Sequence, residues 1–370
     1  MFRKKPFVQK LNKVPELFHG RNSSLALKSL DSGPVLFLIS PSQKENANVK
    51  QILAGLGQLE VLIENVETPS MKECMQLADR HREKNVHYVV AIGGGKVMDA
   101  AKMVRALLLM PAADIETTYA VNFDDVIRPD NAPYAKLICI PTTPGTGSHI
   151  SATAVINNPA GRKIPHVSNV FIPDLAILDA TFLVSIKKEQ MMEFVTDIIT
   201  HAAESSVSKM GNYFVKQTAK LSCEMLLSSM QKWENDATDI KALEEIMWAG
   251  HLAGMAQSNA YVGSCHALAH ALEGYLKITH GKALMMIFKP CMEWHNNILK
   301  LPEYDFYLGV YEKLSLGKYS ERARMANSLS GIDDEGWADE ALADPSVKTN
   351  PITMSKEKML ELIKWIKMKQ

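Results

Sequence analysis

The sequence is short of the features that would settle a class at once. It has five cysteines in 370 residues (Cys74, Cys139, Cys223, Cys265 and Cys291), an odd number with no CxxC pair. That argues against a disulfide framework or a thiolate zinc finger, and for reduced thiols in a cytoplasmic protein. No run approaches the roughly 20 apolar residues of a membrane span. The opening MFRKKPFVQKLNKVP is basic but has no apolar centre of the kind a secretion signal needs. Lysine plus arginine equals aspartate plus glutamate, 41 against 41, so the chain as a whole has no attraction for nucleic acid or a membrane surface. No GxGxxG fingerprint, internal repeat or low-complexity tract is present.

What is there is an ordinary globular composition, 46% apolar and 22% charged. The length exceeds what one core serves, so two domains are expected, 1–180 and 181–370. Residues 1–20 read as an irregular or edge-strand entry. In the first half, apolar β-branched runs at 34–40, 61–66, 88–92 and 137–141 alternate with helical patterns at 46–56, 70–83 and 96–109. That alternation predicts βαβ units and a mostly parallel sheet. The polar stretch 114–133 reads as a long surface loop. From about 187 the pattern turns helical, with helices expected at 188–209, 212–233, 239–260, 264–278, 282–299 and 355–368. Residues 304–350 read as polar and turn-rich with short helices.

The run YVVAIGGGKVMDAAKMV carries the first chemical signal. A buried strand runs into Gly93, Gly94 and Gly95, and a helix follows. Glycines let backbone N–H groups approach a bulky anion, and a helix start favours a phosphate. A plain tight strand-to-helix turn has the same look. The second glycine cluster, PTTPGTGSH, follows strand LICIP, so Thr142, Thr143, Thr146 and Ser148 emerge at the carboxyl end of the sheet. Two such turns at two strand ends favour a dinucleotide cradle. Beyond the strand ending at Ser40 there is no acid until Glu45, while Ser42 and Lys44 intervene, which leans toward NADPH over NADH.

The metal signal is sharper. Asp197 and His201 are four apart in a helical pattern and therefore share a face. His266 and His270 repeat that spacing, and His280 follows at the expected helix end. An aspartate with three histidines, and no thiolate, is a donor set for Fe(II) or Zn(II). His149, His166 and His251 show no partner pattern, the 20 methionines read as core filling, and the five tryptophans as packing anchors.

With these motifs assembled, the chain resembles the iron-containing (group III) alcohol dehydrogenase family over nearly its whole length. GGGKVMDAAK, PTTPGTGSH, DIITHAAE and HALAHALEG…HG resemble the four motifs of that family. The resemblance implies a Rossmann-like α/β domain, an all-helical domain, and NADPH or NADH between them. Cofactor contacts are expected from Ser40, Gly94, Gly95, Lys96, Asp99, Thr142, Thr143, Thr146 and Ser148, and the resemblance adds Lys163. It also implies a metal held by Asp197, His201, His266 and His280, with His270 beside the nicotinamide as a proton relay, and a homodimer. Three residues depart from the family pattern: Lys96 for serine, His149 for glutamate, Glu273 for glycine. Lys96 and His149 are expected to make the cleft more positive and to suit an anionic aldehyde, carboxylated, phosphorylated or phosphonylated, or a 2′-phosphate. The expected activity is reversible reduction of a small aldehyde or ketone. A lyase or cyclase of the dehydroquinate synthase type, or a non-catalytic dinucleotide-binding protein, are the alternatives.

Overall fold

The computed structural model describes residues 11, 13–66, 69–110, 123, 135–158 and 163–369. Six short strands form one parallel sheet: β1 (Glu16–His19), β2 (Val35–Ile39), β3 (Val61–Asn65), β4 (Tyr88–Gly93), β5 (Lys136–Pro141) and β8 (Leu175–Leu178). Their spatial order is β1-β8-β5-β4-β2-β3. β2 is buried at every residue, and β4 and β5 at all but their first, as strands covered on both faces must be. The helices α1 (Ala47–Ala54), α2 (Met71–His81) and α3 (Gly95–Leu108) begin where the sequence supplies caps. Asn46 accepts from Asn48 N and Ser70 from Glu73 N.

The sheet order fixes where a ligand can enter. From β2 the chain moves to β3 on one side, then returns to β4 on the other and continues outward to β5 and β8. The crevice at the carboxyl ends of β2 and β4 is therefore the topological switch point of the sheet. Ser40 and the Gly93–Gly95 turn flank it.

A second sheet, the antiparallel hairpin β6 (Thr153–Asn157) and β7 (Lys163–Val167), is not apparent in the sequence. Tertiary contact holds it. Lys102 of α3 is fully buried and donates to Thr153 O at 2.7 Å and Ser151 Oγ at 3.0 Å. A buried ammonium survives only with such partners.

The helical half comprises α4 (Lys188–Val207), α5 (Tyr213–Asn235), α6 (Ile240–Ala260), α7 (Ser264–Leu276), α8 (His280–Leu299), α9 (Pro302–Lys313), α10 (Gly317–Ala326), α11 (Asp334–Ala343) and α12 (Lys356–Met368). Asn212, Asp239 and Ser355 cap α5, α6 and α12 through their side chains. One expectation is corrected. α7 ends at Leu276, where Lys277 turns left-handed (φ 54°), and His280 opens α8 instead of trailing α7. Methionines such as Met191, Met192 and Met286 fill the helical core. All five cysteines are buried and free. The loop expected at 114–133 lies, apart from Phe123, outside the described residues. Among the described residues no helix is long and apolar enough to cross a membrane.

Candidate active site

The two glycine turns are one object. Gly93 ends β4 in register with Pro141 of β5, and Thr142 N donates to Gly93 O at 3.0 Å. A Cβ on Gly95 would stand 3.1 Å from Thr146 Cβ, and one on Gly94 3.5 Å from Thr143 Oγ1. Gly94 caps α3 without a side chain, leaving the first-turn amides open to an anion. Thr143 Oγ1 is buried with no hydrogen-bond partner among the described residues. Lys96, second residue of α3, is exposed at this mouth. Ser40 Oγ lies 3.0 Å from Ser42 Oγ at the neighbouring strand end.

Asp99 and Ser148 face each other. Ser148 Oγ donates to Asp99 Oδ1 at 2.6 Å, and Val155 N donates to Oδ2 at 3.2 Å. Both side chains are buried, so they brace the second turn and the hairpin against α3. Gly147 at φ +62° completes that turn, and a Cβ there would come 2.9 Å from Gly254 Cα of α6. Only glycine suits this conformation at that approach.

Across the turn stands the metal candidate. Asp197 and His201 share one face of α4, His266 comes from α7 and His280 from the start of α8. His201 Nε2 and His266 Nε2 each lie 3.5 Å from Asp197 Oδ1, and His280 Nε2 lies 3.7 Å away. Asp197 Oδ1 and His266 Nε2 are buried without a hydrogen-bond partner among the described residues. Three nitrogens converging on one unbonded carboxylate oxygen, at spacings a shared ion would bridge, fit a divalent metal. Burial alone would raise the Asp197 carboxyl, but His201, His266 and His280 hold it well below the usual range. It is anionic at neutral pH. Burial pushes His201 down to about 4, whereas, against burial, Asp197 and Glu204 draw His266 up to about 9, so an ion bound here would displace the proton from His266 Nε2.

Behind these four stand carboxylates to which the sequence pattern assigns no role. Glu204 Oε2 accepts from His266 Nδ1 at 2.6 Å, and Oε1 accepts from Cys265 N at 2.7 Å. Glu204 follows Asp197 by seven and His201 by three, so helical spacing was the available signal. Asp344 Oδ2 accepts from His270 Nδ1 at 2.7 Å, a pairing across 74 residues that no local pattern shows. His270 itself is 28% exposed and stacks on His280, with ring centroids 5.0 Å apart. Lys163 does not stand free at the cleft: its Nζ donates to Glu273, which also holds His280 Nδ1 at 2.8 Å.

His149 corrects an expectation. It is buried, with Nε2 3.0 Å from His251 Nδ1, so both histidines have a partner. Burial, then the neighbouring His251 and Lys102, hold His149 well below its usual value. It is neutral and adds no positive charge to the cleft, leaving Lys96 as the one added charge of the two.

An anion cradle at the switch point of a parallel sheet, facing an Asp–His cluster on a helical bundle, is the layout of a metal-dependent dinucleotide enzyme. Comparison makes the assignment specific. The family model described as iron-containing alcohol dehydrogenase matches residues 17–180, and that of the Fe-containing alcohol dehydrogenase family, C-terminal, matches 193–366. The chain belongs to the iron-containing alcohol dehydrogenase family, whose members are oxidoreductases. It is 30% identical over 258 residues to Aldehyde-alcohol dehydrogenase 2 of Entamoeba histolytica, covering 67% of this chain but only 29% of that protein's length. It is 30% identical over 313 residues to Probable alcohol dehydrogenase EutG of Escherichia coli, covering 80% and 77%. An NADPH-dependent butanol dehydrogenase of Clostridium saccharobutylicum is 29% identical over 335 residues, covering 88% and 79%. The solved iron-containing alcohol dehydrogenase of Thermotoga maritima superposes with a TM-score of 0.79 at 22% identity, covering 97% of this chain and 99% of that one.

Proposed function

We propose that this chain is a metal-dependent alcohol dehydrogenase, or aldehyde reductase, moving a hydride between NAD(P)H and a small aldehyde or ketone. The observation that carries the reading is the convergence of three histidine Nε2 atoms on Asp197 Oδ1, directly against the glycine turn. A divalent ion, Fe(II) or Zn(II), held there would supply Lewis acidity, and a bound nicotinamide would supply or accept the hydride.

The chain's own groups do the rest. Asp197, His201, His266 and His280 would hold the ion, and Glu204 fixes His266 through Nδ1. The Gly94–Gly95 turn with Thr142, Thr143 and Thr146 receives the pyrophosphate, while Asp99 and Ser148 keep that turn in place. Ser40 lies where the adenosine ribose would pass. Asp344 accepts a hydrogen bond from His270 Nδ1–H and so keeps that proton on Nδ1, which leaves Nε2 to accept or give the proton exchanged with the substrate oxygen.

Two finer readings belong to the same proposal. NADPH is preferred, supported by the lack of an acid at the β2 end and by the NADPH-linked butanol dehydrogenase relative. An anionic aldehyde is the favoured substrate class, supported by Lys96 at the mouth of the cradle. The domains are taken as 1–180 and 181–370, in keeping with β8 ending at Leu178. A cytoplasmic homodimer rests on the free thiols and the family resemblance. The deciding experiment is a panel of neutral and anionic aldehydes with NADH and NADPH, read by the absorbance of reduced nicotinamide. Substrate conversion without net nicotinamide oxidation would point to a lyase or cyclase and end this reading.

A further inference from the structure

Glu273 stands where the family pattern has glycine, and it is the departure that reaches both halves of the cleft. It lies in the last turn of α7, beyond His270 on the same helix. Oε1 accepts from His280 Nδ1 at 2.8 Å, and Oε2 accepts from Lys163 Nζ at the start of β7. The Glu273 side chain is 12% exposed, so this is a pair inside the cleft and not on its rim. Glycine could make neither contact.

The other nitrogen of His280 faces Asp197 Oδ1. A carboxylate on one imidazole nitrogen sets the tautomer and aims the opposite nitrogen at an ion. Glu204 does this for His266. His201 Nδ1 has no hydrogen-bond partner among the described residues. His280 also opens its helix, where backbone hydrogen bonding restrains a residue least. Its ring therefore depends on a side-chain partner more than one in mid-helix would.

We propose that Glu273 is a positioning residue that this chain has added for His280, with Lys163 reaching over from the α/β domain to hold the carboxylate in place. The proposal rests on the metal reading above. A bare interdomain ion pair, the plainer account, would make removal of either partner equivalent.

The test uses the purified full chain loaded with Zn(II), challenged with a chelator, and read by elemental analysis. Wild type is compared with Glu273→Ala, Glu273→Leu, Glu273→Gln and Lys163→Met, with circular dichroism as the check on folding. Glu273→Ala is expected to weaken ion retention about 10- to 100-fold. Glu273→Gln should recover part of this, because its amide oxygen still accepts from His280. Lys163→Met should lose less than Glu273→Ala. Folded Glu273→Ala, or Glu273→Leu should alanine not fold, that keeps the ion as wild type does overturns the proposal. Equal loss in Lys163→Met also overturns it, since the effect would then belong to the ion pair. A wild type that takes up no divalent ion overturns the metal reading itself, and is told apart because it needs no variant to be seen.

Discussion

Gly145 lies directly against Asp197: a Cβ built on it would stand 3.1 Å from Asp197 Oδ2 and 3.2 Å from Phe194 O. The second glycine turn is therefore wedged between the dinucleotide crevice and the helix that bears the proposed metal ligands. Gly250 meets the same turn from α6, where a Cβ would be 1.6 Å from Pro144 O. Cradle and cluster share a wall one residue thick.

Gly145→Ala must push α4 off the turn by a few tenths of an ångström. Overpacking of this kind costs about 1–3 kcal/mol, and small displacements of reacting groups cost rate steeply. We expect kcat/KM to fall at least about tenfold, with reduced metal content by elemental analysis. Gly250→Ala, aimed at backbone, should lower the melting temperature further. Wild-type kinetics and metal content in Gly145→Ala would show that the wall has slack.

Lys96→Ser restores the family residue at the cradle mouth. With an anionic aldehyde, KM should rise several-fold while a neutral aldehyde of similar size is little affected; with NADPH the affinity should also weaken relative to NADH. Equal losses on neutral and anionic substrates would remove the anionic-substrate reading and leave Lys96 as a solvated lysine.

His251 is held to about 4 by burial, against about 6.5 in an unfolded chain. Between those values the unfolded state binds a proton that the folded state does not. Stability is therefore lost as pH falls from about 6.5 to about 4, by up to about 3 kcal/mol from this residue. His149, also depressed by burial, works in the same direction. Urea midpoints measured across that window should fall less steeply in His251→Phe than in wild type. Parallel profiles would mean that His251 is protonated in the fold.

His270→Ala removes the proposed proton carrier but none of the four proposed ion ligands. Loss of a general acid–base group costs about 10²–10⁴ in rate, so kcat should drop by at least about a hundredfold with metal content unchanged. Asp344→Asn should give a smaller drop, because it disturbs only the tautomer that Asp344 selects. A His270→Ala enzyme with normal kcat would assign the proton to solvent.

Much of this is legible in the sequence alone. Buried strands announced themselves as β-branched runs, and helix starts as Asn46, Ser70, Asn212, Asp239 and Ser355. The pairs Asp197–His201 and His266–His270 followed from helical spacing alone. The hairpin β6–β7 was not legible, since its strands are short, β7 contains Pro165, and the buried Lys102 that holds it comes from α3. His149–His251 was missed for a related reason, as its partners lie 102 residues apart. Local periodicity reports which face a residue occupies, and it is silent on what the opposing element brings. His280 shows the same limit at shorter range, because a single left-handed lysine moved it from one helix end to the next helix start.

The central claim is that Asp197, His201, His266 and His280 hold an ion on which hydride transfer depends. The most direct measurement strips the purified protein with a chelator, verifies removal by elemental analysis, and follows NADPH oxidation with an aldehyde before and after adding back Fe(II) or Zn(II). Turnover should vanish with the ion, return with it, and fail to return in His266→Ala, while NADPH still binds throughout. Full turnover by verified ion-free protein would contradict the account.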